Sequence, residues 1–187
     1  MDRKEFLTKS VKLGLCSSAV FALGLEDLTA AARTPDEKFD RLKDEKDFMA
    51  NWLNDLLDTI DTSLSEDEKV KLMAGCGQGC FRRHQFKVDI ANKGKGDLAK
   101  LLEAYKENFE VWRDGDTVHV RYGEVSDRCY CPVAHNVPAK PHDFHCECTR
   151  ATHEAIFEAA LDRPFKVEIL ESLRRGGKTC HFLIHLA

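Results

Sequence analysis

Cysteine is the residue type with the most chemical potential in this chain, which has 8 of them in 187 residues. Most stand in three close pairs: Cys76 and Cys80, Cys129 and Cys131, Cys146 and Cys148. Thiolates are soft ligands, and several must converge to hold zinc or an iron–sulfur cluster. Residues i and i+4 share a helix face, and residues i and i+2 share a face of an extended segment. Each pair can therefore direct both sulfurs at one ion.

Two other uses of these cysteines compete with metal binding. Disulfides form readily in an oxidising compartment, and a bond such as Cys129 to Cys146 would stabilise the proline-containing loop between them by about 2–4 kcal/mol. Cysteine is also a good small core residue. The spacings differ from the Cys-x2-Cys pairs of a zinc ribbon. A metal-binding or chemically active site, disulfides and simple packing therefore stay open as alternatives.

A carboxylate near the end of the chain is expected to share a surface with a thiol. Residues 165–173 and 179–186 alternate apolar and polar side chains, as strands do. A two-residue glycine turn between them places Glu171 opposite Phe182, on the same face as Cys180. That face is otherwise apolar, so the carboxylate needs a partner, a proton or a metal. The alternative is that Glu171 turns to the neighbouring arginines or to solvent.

The elements that position these residues begin with helices. Apolar residues recur at three- and four-residue steps over residues 36–60, which predicts a long amphipathic helix. A capping box at Ser65 begins a second helix, which the glycines within residues 75–79 are expected to end or distort. A third helix begins at Asp97, and a fourth covers residues 150–161.

Between the third and fourth helices the hydrophobic period changes from nearly four to two. Residues 109–113 and 117–122 flank Asp114-Gly115-Asp116, which is typical of a hairpin turn. Residues 123–148 are predicted to be irregular. Helices, hairpin, helix and hairpin follow one another without the alternation of a parallel sheet. The expected class is α+β, with an antiparallel sheet of hairpins packed with about four helices.

Residues 1–32 are expected to be an export signal. A basic start, a weakly apolar stretch of 13 residues and three alanines follow one another, as in secretory signals. The stretch reaches only about 20 Å as a helix, which is too short to span a bilayer. The start of the chain, residues 3–9, resembles a twin-arginine signal with Lys4 in place of the second arginine. Lipidation of Cys16 is an alternative to cleavage of the signal. We expect one mature domain at 33–187, without a transmembrane span, in the periplasm or envelope.

The overall composition fits a folded domain and excludes some partners. Hydrophobic residues make up 43% and charged residues 32% of the chain, which allows a packed core and excludes wholesale disorder. Lys+Arg 28 against Asp+Glu 32 gives a formal net charge of −4. We therefore expect no nucleic-acid partner.

The last forty residues carry a recognisable arrangement. Cys146-Glu147-Cys148, a helix, a strand with Glu171, a glycine turn and Cys180-His181-Phe182 follow in this order. The arrangement resembles the ending of a bacterial group of small domains, the four-vinyl-reductase-type ligand-binding domains and the aminothiazoline-carboxylate hydrolase-like proteins. Cys76 with Cys80 and Cys129 with Cys131 resemble features of exported members.

The resemblance implies an α+β domain, often a homodimer, around a cavity for a small organic ligand. In sensor members, cysteines and a glutamate hold zinc near that cavity, and Cys148, Glu171 and Cys180 match those positions. Arg174 replaces a further sensor cysteine, so the fourth ligand would come from elsewhere. The candidates for it are Cys146 and His153. The remaining pairs form a second thiol cluster: Cys76, Cys80, Cys129 and Cys131.

Hydrolase-like members imply a different activity, the opening of a small sulfur–nitrogen ring. The thiol–base candidates for such chemistry are Cys180 or Cys131 with a histidine. Our main expectation is an exported domain that binds a small organic ligand at a Cys/Glu-lined site with zinc. The alternatives are a thiol- or metal-dependent hydrolase of a small heterocycle, and a disulfide-stapled interaction module without a site.

Overall fold

The computed structural model describes residues 35–131 and 138–187, so the expected export signal at 1–32 lies outside it. Helices and strands follow in the order α1 Pro35–Ser63, α2 Glu66–Arg83, α3 Gln85–Lys93, α4 Leu98–Lys106, β1 Glu110–Asp114, β2 Thr117–Arg121, α5 Glu147–Leu161, β3 Lys166–Glu171 and β4 His181–His185. Short 3-10 turns cover Phe144–Cys146 and Leu173–Arg175. The predicted α+β class is confirmed.

The chain divides into two compact units, residues 1–49 and 50–187. The described part of the first unit is the N-terminal half of α1, in which Phe39, Leu42 and Phe48 are exposed. The second unit contains all other described elements and the cysteines of the predicted sites. The predicted domain at 33–187 stays a prediction.

The four strands form one antiparallel sheet in the order β1-β2-β4-β3. Two hairpins, β1–β2 and β3–β4, are joined where Val118 pairs with Ile184. β-branched side chains suit a half-buried sheet, and one face of this sheet carries buried Val111, Val120 and Val167. The core also takes apolar side chains from α3, α4 and α5: Ile90, Ala91, Leu101, Ala104, Tyr105, Ile156, Phe157 and Ala160.

The terminal hairpin has a different register from the predicted one. Glu171 pairs with His181, and Ile169 pairs with Phe182, with an irregularity between residues 169 and 171. The predicted pairing of Glu171 with Phe182 is wrong. A longer turn causes the difference, because the side chain of Ser172 accepts a hydrogen bond from Arg174 N–H and caps a 3-10 turn. The predicted two-residue turn is replaced by this longer connection.

Helix α2 continues through the glycines that were expected to end or distort it. The Ser65 capping box that begins α2 is confirmed, and so is the helix start at Asp97, where the structure shows that the Asp97 side chain caps α4. A Cβ atom on Gly77 would lie 2.4 Å from the carbonyl oxygen of Cys148. Glycine at this position therefore lets α2 approach α5 closely, which outweighs its poor helix propensity. Helix α3 was not predicted.

Among residues 35–131 and 138–187, no helix has both the length and the apolar character needed to cross a bilayer.

Candidate thiol site

Three cysteines lie near Cys148, where α2 meets α5, and we call the four residues the thiol cluster: Cys76, Cys80, Cys131 and Cys148. Burial raises the pKa of the Cys148 thiol to about 12, with smaller contributions from the sulfurs of Cys80, Cys131 and Cys76. This influence requires that the three sulfurs lie near Cys148 in a medium of low dielectric constant. Cys148 is therefore a neutral thiol at neutral pH. Cys76 is exposed and the other three are half-buried, so the cluster opens to solvent.

Close helix packing produces this cluster. Cys76 and Cys80 stand four residues apart on α2, so they project from the same part of its surface. Between them, buried Gly77 lies against Cys148 of α5. The hydroxyl of Thr152 donates to the carbonyl oxygen of Gly77 at 3.2 Å, which ties the two helices at this level.

One cation lies directly on the thiol cluster. The ammonium of Lys87, on α3, donates to the sulfur of Cys80 at 2.9 Å. It also lowers the pKa of Cys148, against the larger effect of burial. An ammonium group beside sulfur stabilises negative charge there, so Lys87 supplies an anion-binding element close to the neutral thiol of Cys148.

A histidine lies against another thiol of the cluster. His145 Nε2 is 3.1 Å from Cys131 Sγ. Burial lowers the pKa of His145, an effect that Asp143 opposes and Arg174 reinforces, so the ring is neutral at neutral pH. The backbone N–H of His145 donates to Asp143 Oδ1 at 2.9 Å, which holds the 3-10 turn that carries the ring. The sequence-based candidate of Cys131 with a histidine thus has His145 as its histidine.

A buried hydrogen-bonded network lies next to the thiol cluster. His153, only 1% exposed, contacts the Tyr105 hydroxyl through Nδ1 and the Tyr122 hydroxyl through Nε2, both at 3.2 Å. Burial lowers the pKa of His153 to about 3, with a further contribution from Lys87. Both ring nitrogens are engaged, so His153 is not oriented as a metal ligand. The sequence did not single out the two tyrosines, because they lie on separate elements without a motif.

The remaining predicted site residues form a second set, the hairpin group, consisting of Cys146, Glu171 and Cys180. Cys146 Sγ is 2.8 Å from the hydroxyl of Ser172, and burial raises its pKa to about 12. Glu171 Oε1 accepts the Lys178 N–H at 2.6 Å, so it closes the turn of the hairpin. Burial also raises the pKa of Cys180, although a backbone N–H directed at its sulfur opposes the shift.

The predicted zinc ligands do not converge in this structure. Cys148 belongs to the thiol cluster, whereas Cys146 and Glu171 have hydrogen-bond partners within the hairpin group. Within the described ranges, no set of three or more His, Cys, Asp or Glu side chains is arranged to hold a metal ion. The residues present therefore do not fit the zinc site that the resemblance implies, and zinc has no support here.

Six cysteines of the described residues, Cys129 and Cys146 included, are present as thiols rather than in disulfides: Cys76, Cys80, Cys129, Cys146, Cys148 and Cys180. Cys129 acts electrostatically on Cys180 and Tyr122, which places it beside the hairpin group rather than with the thiol cluster.

Two cavities lie near other parts of the molecule. An open groove of about 1070 Å³ between α4 and β1 is lined by apolar and charged side chains that include Leu102, Trp112 and Lys100, and by none of the predicted site residues. A small cavity of about 20 Å³ is lined by Asn54, Leu57, Asp58, Lys140, Asp143, Phe144, His145 and Arg174. His145, which lines the second cavity, also contacts Cys131 of the thiol cluster.

Comparisons with known proteins identify the fold but no activity. Residues 25–187 match the model of a family of unknown function, DUF6144. A trafficking protein particle complex subunit 3 from Naegleria fowleri, covalently bound to palmitic acid, is 10% identical at a TM-score of 0.51, over 78% of this chain and 96% of that chain. At this identity the similarity shows the fold alone.

A member of the class that the sequence resembles also matches. A vinyl-4-reductase family protein from Methanocaldococcus jannaschii is 13% identical over 82% of each chain, with a TM-score of 0.32 on which we base no argument. No curated protein matches the chain significantly.

Proposed function

Since the chain belongs to DUF6144, a family of unknown function, we propose from the site itself that the protein binds a small organic acid at the thiol cluster. The observation that carries the proposal is the contact of 2.9 Å between the Lys87 ammonium and Cys80 Sγ. This contact places one cation among several half-buried thiols, which is the combination that an organic acid needs.

The two parts of such a ligand have different requirements. A carboxylate gains most from a charge-assisted hydrogen bond in a partly desolvated position, and Lys87 is half-buried beside Cys80. The organic part of the ligand is bound more favourably by a polarisable, weakly polar surface such as sulfur. Cys148, with its pKa raised to about 12, offers a neutral sulfur for that contact. The thiol cluster therefore favours an organic anion over a cation or a bare inorganic ion.

The comparison with solved structures supports the choice of an organic acid. The trafficking subunit of similar fold is described as covalently bound to palmitic acid. We therefore choose unbranched carboxylic acids as the first probes.

The proposed experiment measures binding of octanoate and palmitate to the reduced full-length chain by isothermal titration calorimetry. Replacement of Lys87 by Met is expected to weaken octanoate binding by about 10- to 150-fold, because a hydrogen bond to a charged group contributes about 1.5–3 kcal/mol. The control is Lys71→Met, which removes an exposed lysine of the neighbouring helix α2. Octylamine, which carries the opposite charge, is expected not to bind.

Two results would overturn this proposal. One is the absence of saturable binding of either acid at millimolar concentration. The other is binding that Lys87→Met leaves unchanged and Trp112→Ala abolishes, since Trp112 lines the separate groove between α4 and β1.

We also propose that the protein acts outside the cytoplasm, as residues 1–32 indicate. Fractionation of bacterial cells that express the full chain is expected to place it in the periplasm or envelope. Deletion of residues 2–32 is expected to retain it in the cytoplasm, and equal distribution of the two forms would contradict export.

A further inference from the structure

We propose that Cys131 and His145 form a nucleophile–base pair that takes an acyl group from an activated ester or thioester and forms a transient thioester on Cys131. The inference rests on the proposed function, because the acyl group would be that of the organic acid bound at the thiol cluster. Its products are the free acid and the leaving alcohol or thiol, so the overall reaction is hydrolysis.

The geometry suits proton transfer between the two side chains. The separation of 3.1 Å between Cys131 Sγ and His145 Nε2 lies within the reach of a general base. Cys131 is half-buried and accessible to a small molecule, whereas His145 is buried behind it. Burial lowers the pKa of His145, which keeps the imidazole neutral and able to accept a proton at neutral pH.

The other side of the imidazole ring indicates which tautomer is present. His145 Nδ1 and Asn54 Oδ1 are both buried without a hydrogen-bond partner among the described residues, and both side chains line the cavity of about 20 Å³. A cavity of this size is large enough for one water molecule. An amide oxygen on this side, reached directly or through water, favours the tautomer with a proton on Nδ1. That tautomer leaves Nε2 to accept the Cys131 proton, so Asn54 is a positioning residue.

The reaction follows from these roles. His145 Nε2 takes the proton of the Cys131 thiol as Sγ attacks the acyl carbon, and an S–C bond forms. The bond from the acyl carbon to the leaving oxygen or sulfur breaks, and the leaving group accepts the proton from His145. Water then attacks the thioester carbon with His145 as base. The S–C bond breaks, the acid departs and Cys131 regains its proton.

Two other thiols of the cluster, those of Cys80 and Cys148, have no such base among the described residues. Cys80 contacts Lys87, whose ammonium has no lone pair with which to accept a proton. Cys148 has its pKa raised to about 12 by burial, so little thiolate forms at neutral pH. Cys131 is therefore the thiol of the cluster with both access and an adjacent proton acceptor.

The main experiment mixes the reduced full-length chain with p-nitrophenyl octanoate and follows nitrophenolate release together with peptide mass spectrometry. The expected result is an octanoyl group on Cys131 and turnover that Cys131→Ser lowers by more than 100-fold. His145→Gln is expected to lower kcat about 10²- to 10⁴-fold with a smaller effect on KM. The matched control is Cys129→Ser, since Cys129 is also half-buried and lies outside the thiol cluster.

The positioning role of Asn54 has a readout of its own. Asn54→Leu removes the acceptor on the Nδ1 side of His145, so the imidazolium is less stable. The midpoint of the pH–rate profile of acylation is expected to move to lower pH, whereas a purely structural role would change the rate without moving the midpoint.

A measurement on the unmodified protein guards against variants that fail to fold. Iodoacetamide is expected to label Cys131 at least tenfold faster than Cys129, and equal rates would overturn the inference. Octanoate binding that depends on Lys87, combined with acylation that Cys131→Ser does not affect, overturns the nucleophile–base pair alone. Acylation of Cys131 by p-nitrophenyl acetate without any octanoate binding supports the pair and overturns the proposed ligand.

Discussion

The hairpin group and the thiol cluster contain the same residue type in contrasting surroundings. In the hairpin group, Cys146 contacts a serine hydroxyl and Glu171 accepts a backbone N–H, so both serve the turn that joins β3 and β4. In the thiol cluster, Cys80 contacts an ammonium and Cys131 contacts an imidazole. The partner of each sulfur, rather than its position in a cysteine pair, separates a structural role from a chemical one.

The two cysteines of one close pair belong to different groups. Cys146 and Cys148 are two residues apart, yet the first lies with Ser172 and the second with the sulfurs of α2. They straddle the point where the 3-10 turn passes into α5. The backbone is helical at residues 146 and 147, and residues two apart on a helix project about 200° apart around its axis. The two side chains therefore point to different parts of the molecule.

The largest expected effect on the hairpin side is that of Arg174. Its guanidinium forms an ion pair with Asp143 and donates to the carbonyl oxygen of Pro138 at 3.2 Å, and the two charged side chains are 6% and 1% exposed. Arg174→Met leaves the carboxylate buried without its main cation and is expected to lower the free energy of unfolding by about 3–5 kcal/mol. Urea denaturation measures the change. Lys178→Met, at an exposed position of the same turn, is the control, and a loss under about 1 kcal/mol for Arg174→Met would contradict the structural role.

A pH series tests the network that lies beside both groups. The pKa of His153 is lowered to about 3 from an ordinary value of 6.5. The unfolded state therefore takes up the proton first, so the stabilisation is complete above pH 6.5 and is lost as the pH falls from 6.5 toward 3. The free energy of unfolding is expected to fall by roughly 3 kcal/mol between pH 7 and pH 4 from this residue.

In the variant His153→Gln, the free energy of unfolding is expected to fall by roughly 3 kcal/mol less between pH 7 and pH 4 than in the unmodified protein. Urea titrations at pH 7, 5 and 4 measure this difference. Exposed His84 provides the matched control, and His84→Gln should keep the slope of the unmodified protein. Identical slopes for His153→Gln and the unmodified protein would show that His153 does not carry the effect.

A pair of glycine substitutions tests the packing that assembles the thiol cluster. Gly77→Ala places a methyl group 2.4 Å from the Cys148 carbonyl oxygen and is expected to lower the free energy of unfolding by about 1–3 kcal/mol. Gly75→Ala, on the same helix with nothing within 4 Å of the new Cβ atom, is expected to be stabilising by about 0.5–1 kcal/mol. Thermal and urea unfolding measure both changes. Equal effects of the two substitutions would refute close approach at Gly77.

The smallest expected effect compares one thiol from each group. Burial raises the pKa of Cys146 and of Cys148 to about 12 from an ordinary value of 9.0. The contribution of each buried neutral thiol to the free energy of unfolding is complete below pH 9, and it is lost as the pH rises from 9 toward 12. Cys146→Ala and Cys148→Ala are each expected to reduce the loss of stability between pH 8 and pH 10 by about 1 kcal/mol. Exposed Cys76, replaced by Ala, serves as control, and an unchanged alkaline profile in both variants would argue against burial as the cause.

Much of the fold follows from local patterns in the sequence. The capping box at Ser65, the cap at Asp97 and the hairpin around Gly115 each involve residues close together in the chain, and the structure contains all three. The continuation of α2 through Gly77 was not predictable, because it depends on the carbonyl oxygen of Cys148 in another helix. The register of the terminal hairpin depends on a 3-10 turn capped by Ser172, which the alternation of apolar residues does not specify.

The sequence predicted which residue types supply the candidate site but not how they are arranged. Cysteine spacing indicated that thiols would meet, and Cys131 with a histidine was among the candidates. Lys87 was not predicted, because a single lysine in a polar stretch has no spacing that distinguishes it from a surface residue.

The sequence by itself determined the α+β class, the antiparallel hairpins, the starts of α2 and α4 and the supply of thiols, because periodicity and capping act between residues near in the chain. Only the tertiary structure decided that Cys148 joins the sulfurs of α2 while Cys146 and Glu171 serve the terminal turn. It also decided that His145 is the histidine that lies beside Cys131. These assignments depend on the close approach of helices and on the length of one turn, which are set by packing between distant segments.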